Sequence, residues 1–132
     1  MSEKTAITTD GAPSTDNPYS QGIQAGDTLY VSGYGPVDPD SSEGVEGGVR
    51  EQTERVLANI AAVVEAAGGD GLADVVKVTV YLTDLETYDR VNEAYGAAFE
   101  EAGGTPPARV CVEVSRLPED VRVEMDAIAT LA

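Results

Sequence analysis

The chain contains no histidine and a single cysteine, carries only 8 basic residues against 24 acidic ones, and has no apolar run near the roughly 18 residues that would span a bilayer. Without histidine, Ser-His and Cys-His nucleophilic catalysis and most zinc sites are excluded. One cysteine rules out an intrachain disulfide, so stability must come from packing, with or without association between chains. The opening MSEKTAITTDGAP lacks the charged-then-apolar pattern of a signal peptide, and a soluble cytoplasmic protein with no membrane partner is expected.

A formal net charge of −16 repels a phosphate backbone, which makes nucleic acid a poor partner. The acids are spread along the chain instead of forming a tail, as suits a halophile-like protein whose surface repulsion is screened by concentrated salt.

What is present fits one domain over residues 1–132. Residues 1–16 are expected to be loosely ordered, with a short strand near Thr5 to Thr9. YSQGIQA and TLYVSG flank Gly26-Asp27, a hairpin signal. YGPVDPDSSEGVEGG is rich in Gly, Pro, Ser and Asp and is expected to be a mobile surface loop.

From Val49, apolar residues recur at helical spacing until Gly68-Gly69 ends the pattern. Thr83 and Glu86 suggest a capping box opening a second helix whose buried stripe is Tyr88, Val91, Tyr95 and Phe99. DVVKVTVYLTD, ARVCVEVS and VRVEMDAIATL alternate as strands. Their patterns group Val76, Val78, Val80 and Leu82 inward, and place Lys77, Arg109, Glu113, Arg122, Glu124 and Asp126 on a second, polar face. The order of elements predicts an α+β sandwich with both helices on one face of the sheet. The polar face is either solvent surface or the wall of a shared interface.

Several candidate sites dissolve on inspection. The segment from Asp38 lacks the glycine and terminal glutamate of a calcium loop, and SGYGP lacks the third glycine and the helix of a dinucleotide site. Cys111 has no histidine or lysine neighbour in sequence to activate it. Arg109 is different: a permanent charge flanked by apolar residues needs either a carboxylate such as Glu113 or an anionic ligand. Glu124 either bridges an arginine or positions a water, and Asn92 and Tyr19 either pack or touch a ligand.

In their order and spacing, NPYSQG, LYVSG, EQTERVLANI, VVKVTVYLTDL, VNEAY, PARVCVEVSRLP and VEMDAIA resemble the RidA family, also called YjgF, of reactive-intermediate deaminases. The resemblance covers nearly the whole chain from about residue 17. It implies a chorismate-mutase-like single domain, a mixed sheet with two helices packed on one face, and a homotrimer with three clefts between subunits. It further implies hydrolysis of 2-iminobutanoate or 2-iminopropanoate, or their enamine tautomers, to 2-oxo acids and ammonia, with no cofactor and no metal.

By that resemblance Arg109 grips the substrate carboxylate, backbone around Cys111 contacts it, Glu124 holds or activates water, and Tyr19 and Asn92 line the cleft. SGYGP departs from the family's SGQIP, so Tyr34 and Gly35 alter the cleft wall, and Val110 replaces a common serine. Other roles attributed to relatives are non-catalytic 2-oxo acid binding, a chaperone-like trimer, and ribonuclease or translation inhibition, the last disfavoured by the charge.

Overall fold

The computed structural model describes residues 3–45 and 47–132; Met1 and Ser2 of the expected loose start, and Glu46 of the expected loop, lie outside them. Among the described residues six strands form one sheet: β1 (Lys4–Ile7), β2 (Gly22–Ala25), β3 (Thr28–Tyr34), β4 (Val75–Leu82), β5 (Ala108–Glu113) and β6 (Val123–Thr130), in the order β1-β2-β3-β6-β4-β5. All pairings are antiparallel except β4 with β5. Helix α1 (Val49–Ala66) joins β3 to β4 and α2 (Tyr88–Glu101) joins β4 to β5.

Because β3 and β4 both run antiparallel to the intervening β6, each helix serves as a crossover between strands of the same direction. The sequence places both helices on one face for the same reason that it makes them helical. Val56, Ile60, Val63 and Val64 of α1 and Val91, Tyr95 and Phe99 of α2 form stripes that are buried against Leu29, Val31, Val78, Val80, Leu82, Val123, Met125 and Ala127. No described helix is long and apolar enough to cross a membrane.

Local chemistry refines several boundaries. Gly26, with φ of 62°, supplies the left-handed residue of the β2–β3 turn. Asp84, not Thr83 with Glu86, caps the turn before α2, its side chain accepting from Glu86 N at 3.0 Å. Residues 4–13 are tied down: β1 pairs with β2, and the buried Gln21 amide accepts from Thr9 N and donates to the carbonyls of Thr9, Ala12 and Pro13. The loop after β3 folds on itself, with Asp38 N donating to Glu43 O and Asp38 Oδ1 accepting from Asp40 N.

Three face assignments differ from those the strand and helix periodicities give. Val75 is buried and Val76 is 43% exposed, because a bulge sets two steps along β4, from Val75 to Lys77, against the single step from Ala129 to Ile128 on β6. Tyr88 stands out of the buried stripe at the start of α2, 38% exposed. On β5, Arg109 and Cys111 pair with the core-facing Val78 and Val80 and lie on the helix side, whereas Val110 and Val112 lie on the open face, 47% and 39% exposed. Arg109 and Glu113 therefore do not belong to the polar face that carries Glu124 and Asp126. Among the described residues β5 is an edge strand bonded on one side only, so its apolar residues need not point at the protomer's own core.

Candidate functional site

The residues singled out by sequence separate into two clusters. The first is a cleft of about 450 Å³ whose walls include Asn17, Tyr19, Gly33, Tyr34, Gly35 and Glu124. Tyr19 is exposed at its mouth. Tyr34 turns inward, its hydroxyl 3.5 Å from Pro13 O, and burial pushes its phenol up to about 12. It thus gives the cleft a neutral ring and backbone. The wall at Gly35 is held by buried Asn59 of α1, whose Nδ2 donates to Gly35 O at 3.2 Å and Val37 O at 2.9 Å while Oδ1 accepts from Arg55 Nη2 at 2.9 Å.

Glu124 projects from β6 over Gly33. A Cβ at Gly33 would lie 2.7 Å from Glu124 Oε2, so the absence of a side chain there makes room for the carboxylate. Burial, and secondarily the neighbouring Asp126 carboxylate, raise the Glu124 pKa above its ordinary 4.5. Asp126 in turn accepts from Tyr81 Oη at 3.0 Å. A half-buried carboxylate of raised basicity at a cleft wall can accept a proton from water.

The second cluster lies at the β5 edge. The Arg109 guanidinium sits 4.8 Å from the Tyr95 ring centroid and 5.4 Å from that of Tyr88, and its Nη2 donates to Tyr88 Oη at 2.9 Å. Tyr88 and Tyr95 share a face of α2 with half-buried Asn92, four residues after the first and three before the second. In a chain with 24 acids, no carboxylate pairs with Arg109 among the described residues; the one ion pair there is Arg50 with Glu93. Glu113, the expected salt-bridge partner, instead accepts from Leu85 N at 2.8 Å. The cation is held by neutral aromatic rings, which orient it without neutralising it.

Cys111 packs at the margin of the core, and burial raises its thiol pKa although Arg109 opposes the shift. A raised pKa is the reverse of what an activated nucleophile needs. Among the described residues no group of three or more potential ligands could hold a metal ion.

The two clusters do not meet within one protomer. Glu124 pairs with Tyr81 across β6 and β4, and Tyr81 with Val112 across β4 and β5, so Glu124 shares the open face with the valines of β5 and not with Arg109. One lines up Arg109, Asn92 and Cys111; the other lines up Tyr19, Tyr34, Gly35 and Glu124. Sequence reasoning missed Gln21, Asn59 and the hydroxyl of Tyr88, and placed Asp126 on the polar face without a role beside Glu124. For Asn59 the available signal was a polar residue amid the apolar positions of α1.

Residues 9–131 match the family model described as Endoribonuclease L-PSP. A RutC family protein of Pyrococcus abyssi is 52% identical over 126 residues, covering 96% of each chain. The protein named 2-iminobutanoate/2-iminopropanoate deaminase in Escherichia coli K12 is 46% identical over 123 residues, covering 93% of this chain and 94% of that one. Among solved structures, E. coli TdcF with bound serine superposes with a TM-score of 0.92 at 40% identity, covering 97% of this chain and 99% of that one.

Proposed function

The chain belongs to the Endoribonuclease L-PSP family, the group that includes the RidA and YjgF proteins, and from that premise we propose that it is a cofactor-independent deaminase that hydrolyses 2-iminobutanoate and 2-iminopropanoate to 2-oxo acids and ammonia. The observation that carries this reading is Arg109, a half-buried cation cradled by Tyr88 and Tyr95 with no carboxylate partner among the described residues. A planar guanidinium in that state suits a substrate carboxylate, to which it can donate two parallel hydrogen bonds without losing its charge.

The active unit is a homotrimer with three clefts, each joining the Arg109 cluster of one protomer to the Glu124 cluster of its neighbour. Two features support association. The exposed Tyr30, Val76, Val110 and Val112 give the sheet's uncovered side apolar surface, and each cluster alone lacks half of the chemistry. With the carboxylate fixed on Arg109 and Asn92 alongside, the electrophilic imine carbon faces the neighbour's Glu124. That carboxylate takes a proton from water as its oxygen bonds to carbon, and passes the proton to nitrogen. In the resulting carbinolamine the same carboxylate takes the hydroxyl proton and returns it to the amino nitrogen, so that the C–N bond breaks, the C=O bond forms, and ammonia departs from the 2-oxo acid. Cys111 contributes backbone and packing, while Tyr19, Tyr34 and Gly35 set the space for the substrate side chain.

Freshly generated 2-iminobutanoate in high potassium chloride provides the test. Wild type should speed ammonia release, and Arg109→Ala and Arg109→Lys should each lower kcat/KM at least about 100-fold. A wild-type rate equal to buffer would sink the reading. The serine in the TdcF structure favours one alternative, a module that only binds small amino or oxo acids; calorimetric binding of 2-oxobutanoate without rate enhancement would support it. RNA cleavage, suggested by the family's name, is disfavoured by the net charge of −16.

A further inference from the structure

Tyr88 is the first residue of α2, and its hydroxyl reaches the guanidinium of Arg109 across the β5 edge. A phenolic oxygen has lone pairs to accept with and one hydrogen to donate. The contact with Arg109 Nη2 at 2.9 Å uses a lone pair, since a guanidinium can only donate. The phenolic hydrogen makes no hydrogen bond among the described residues, and Tyr88 is exposed enough for a ligand to reach it.

We propose that the Tyr88 hydroxyl is a substrate-binding group: accepting from Arg109, it donates its own hydrogen to the same substrate carboxylate, so that the anion is held by two different donors. This rests on the reading of Arg109 given above and deepens it. The hydroxyl is not required merely to retain the cation, because the Tyr95 ring lies closer to the guanidinium than the Tyr88 ring does. Its added value is directional. A hydrogen bond to Nη2 fixes the rotation of the guanidinium plane, and the phenolic hydrogen is then free to turn toward an anion bound beside it. The chemical class selected is a small 2-imino or 2-oxo acid with a free carboxylate, in preference to its neutral amide.

The Tyr88 ring and hydroxyl can be separated experimentally. Tyr88→Phe keeps the aromatic ring and should raise both the Kd for 2-oxobutanoate, by calorimetry, and the KM of the imine about tenfold, with kcat within about twofold of wild type. Its preference for 2-oxobutanoate over 2-oxobutanamide should narrow by a similar factor. A second variant keeps the acceptor and removes only the donor: a ring-fluorinated tyrosine at position 88 whose phenol ionises near neutral pH. As pH rises through that ionisation, the phenolate still accepts from Arg109 but can no longer donate, so 2-oxobutanoate should bind progressively more weakly than it does to wild type.

If Tyr88→Phe binds 2-oxobutanoate as wild type does, or if the fluorinated variant shows no added pH dependence, the proposal is overturned. Arg109→Ala serves as the parallel arm. Unchanged binding there would overturn the Arg109 reading itself, whereas lost binding there with unchanged binding in Tyr88→Phe would overturn only the role of Tyr88.

Discussion

Arg109 and Glu124 stand on opposite faces of the same sheet, with β4 between their strands. Neighbouring strands are about 4.8 Å apart, so the pair is separated laterally by about 10 Å as well as by the thickness of the sheet. A four-carbon substrate cannot touch both from within one protomer. The proposed reaction therefore needs a second copy.

Gly33→Ala should be well tolerated by the fold yet slow the reaction about tenfold. The added Cβ meets the far end of the flexible Glu124 side chain, which can swing aside at little cost in stability but then leaves its working position. A thermal midpoint near that of wild type, together with a reduced kcat and a nearly unchanged Kd for 2-oxobutanoate, is the expected result.

The acid limb of the kcat/KM profile should lie above the ordinary glutamate pKa of 4.5, because burial and then Asp126 raise that of Glu124. Activity is present where Glu124 is ionised and is lost as pH falls through the raised value. Asp126→Asn removes the second cause and should move the limb downward only in part, since burial remains. The stability effect has the opposite sense. A raised carboxyl pKa in the folded state means that Glu124 destabilises increasingly as pH climbs from its unfolded to its folded value. Glu124→Gln should accordingly gain most, relative to wild type, at neutral pH.

Asn59→Ala should cost about 2–3 kcal/mol, because the variant abandons the carbonyls of Gly35 and Val37 in a buried setting and leaves Arg55 without its partner. Denaturant unfolding at fixed salt would measure the loss. The same change frees the Gly35 wall, so the variant's KM should rise while folded protein remains.

The sequence made the layers legible but not the orientation of the edge. Helical periodicity in α1 and α2 and alternation in β4 and β6 identify real elements, because each of these has a face pressed against the core. Alternation in β5 shows correctly that Arg109 and Cys111 share a side. It misassigns that side, because the helix layer over an edge strand accommodates a cation between aromatic rings while the valines point outward. The bulge at Val75 and the inward turn of Tyr34 are equally silent in a period-two pattern, since each depends on a partner strand or loop. Arg109 and Glu124 were both identifiable as candidates, but only the sheet register reveals that one protomer keeps them apart.

The central claim, that each working cleft takes Arg109 from one protomer and Glu124 from another, is tested most directly by mixing two inactive variants. Arg109→Ala and Glu124→Gln, each assayed alone, should show little deamination of 2-iminobutanoate. Co-refolded at equal amounts, random assembly gives a cleft with both native residues in roughly a quarter of cases, from the cyclic arrangement of subunits. Activity should recover to about that fraction of wild type. Assembled mixtures that stay as inactive as the separate variants would contradict a site shared between protomers.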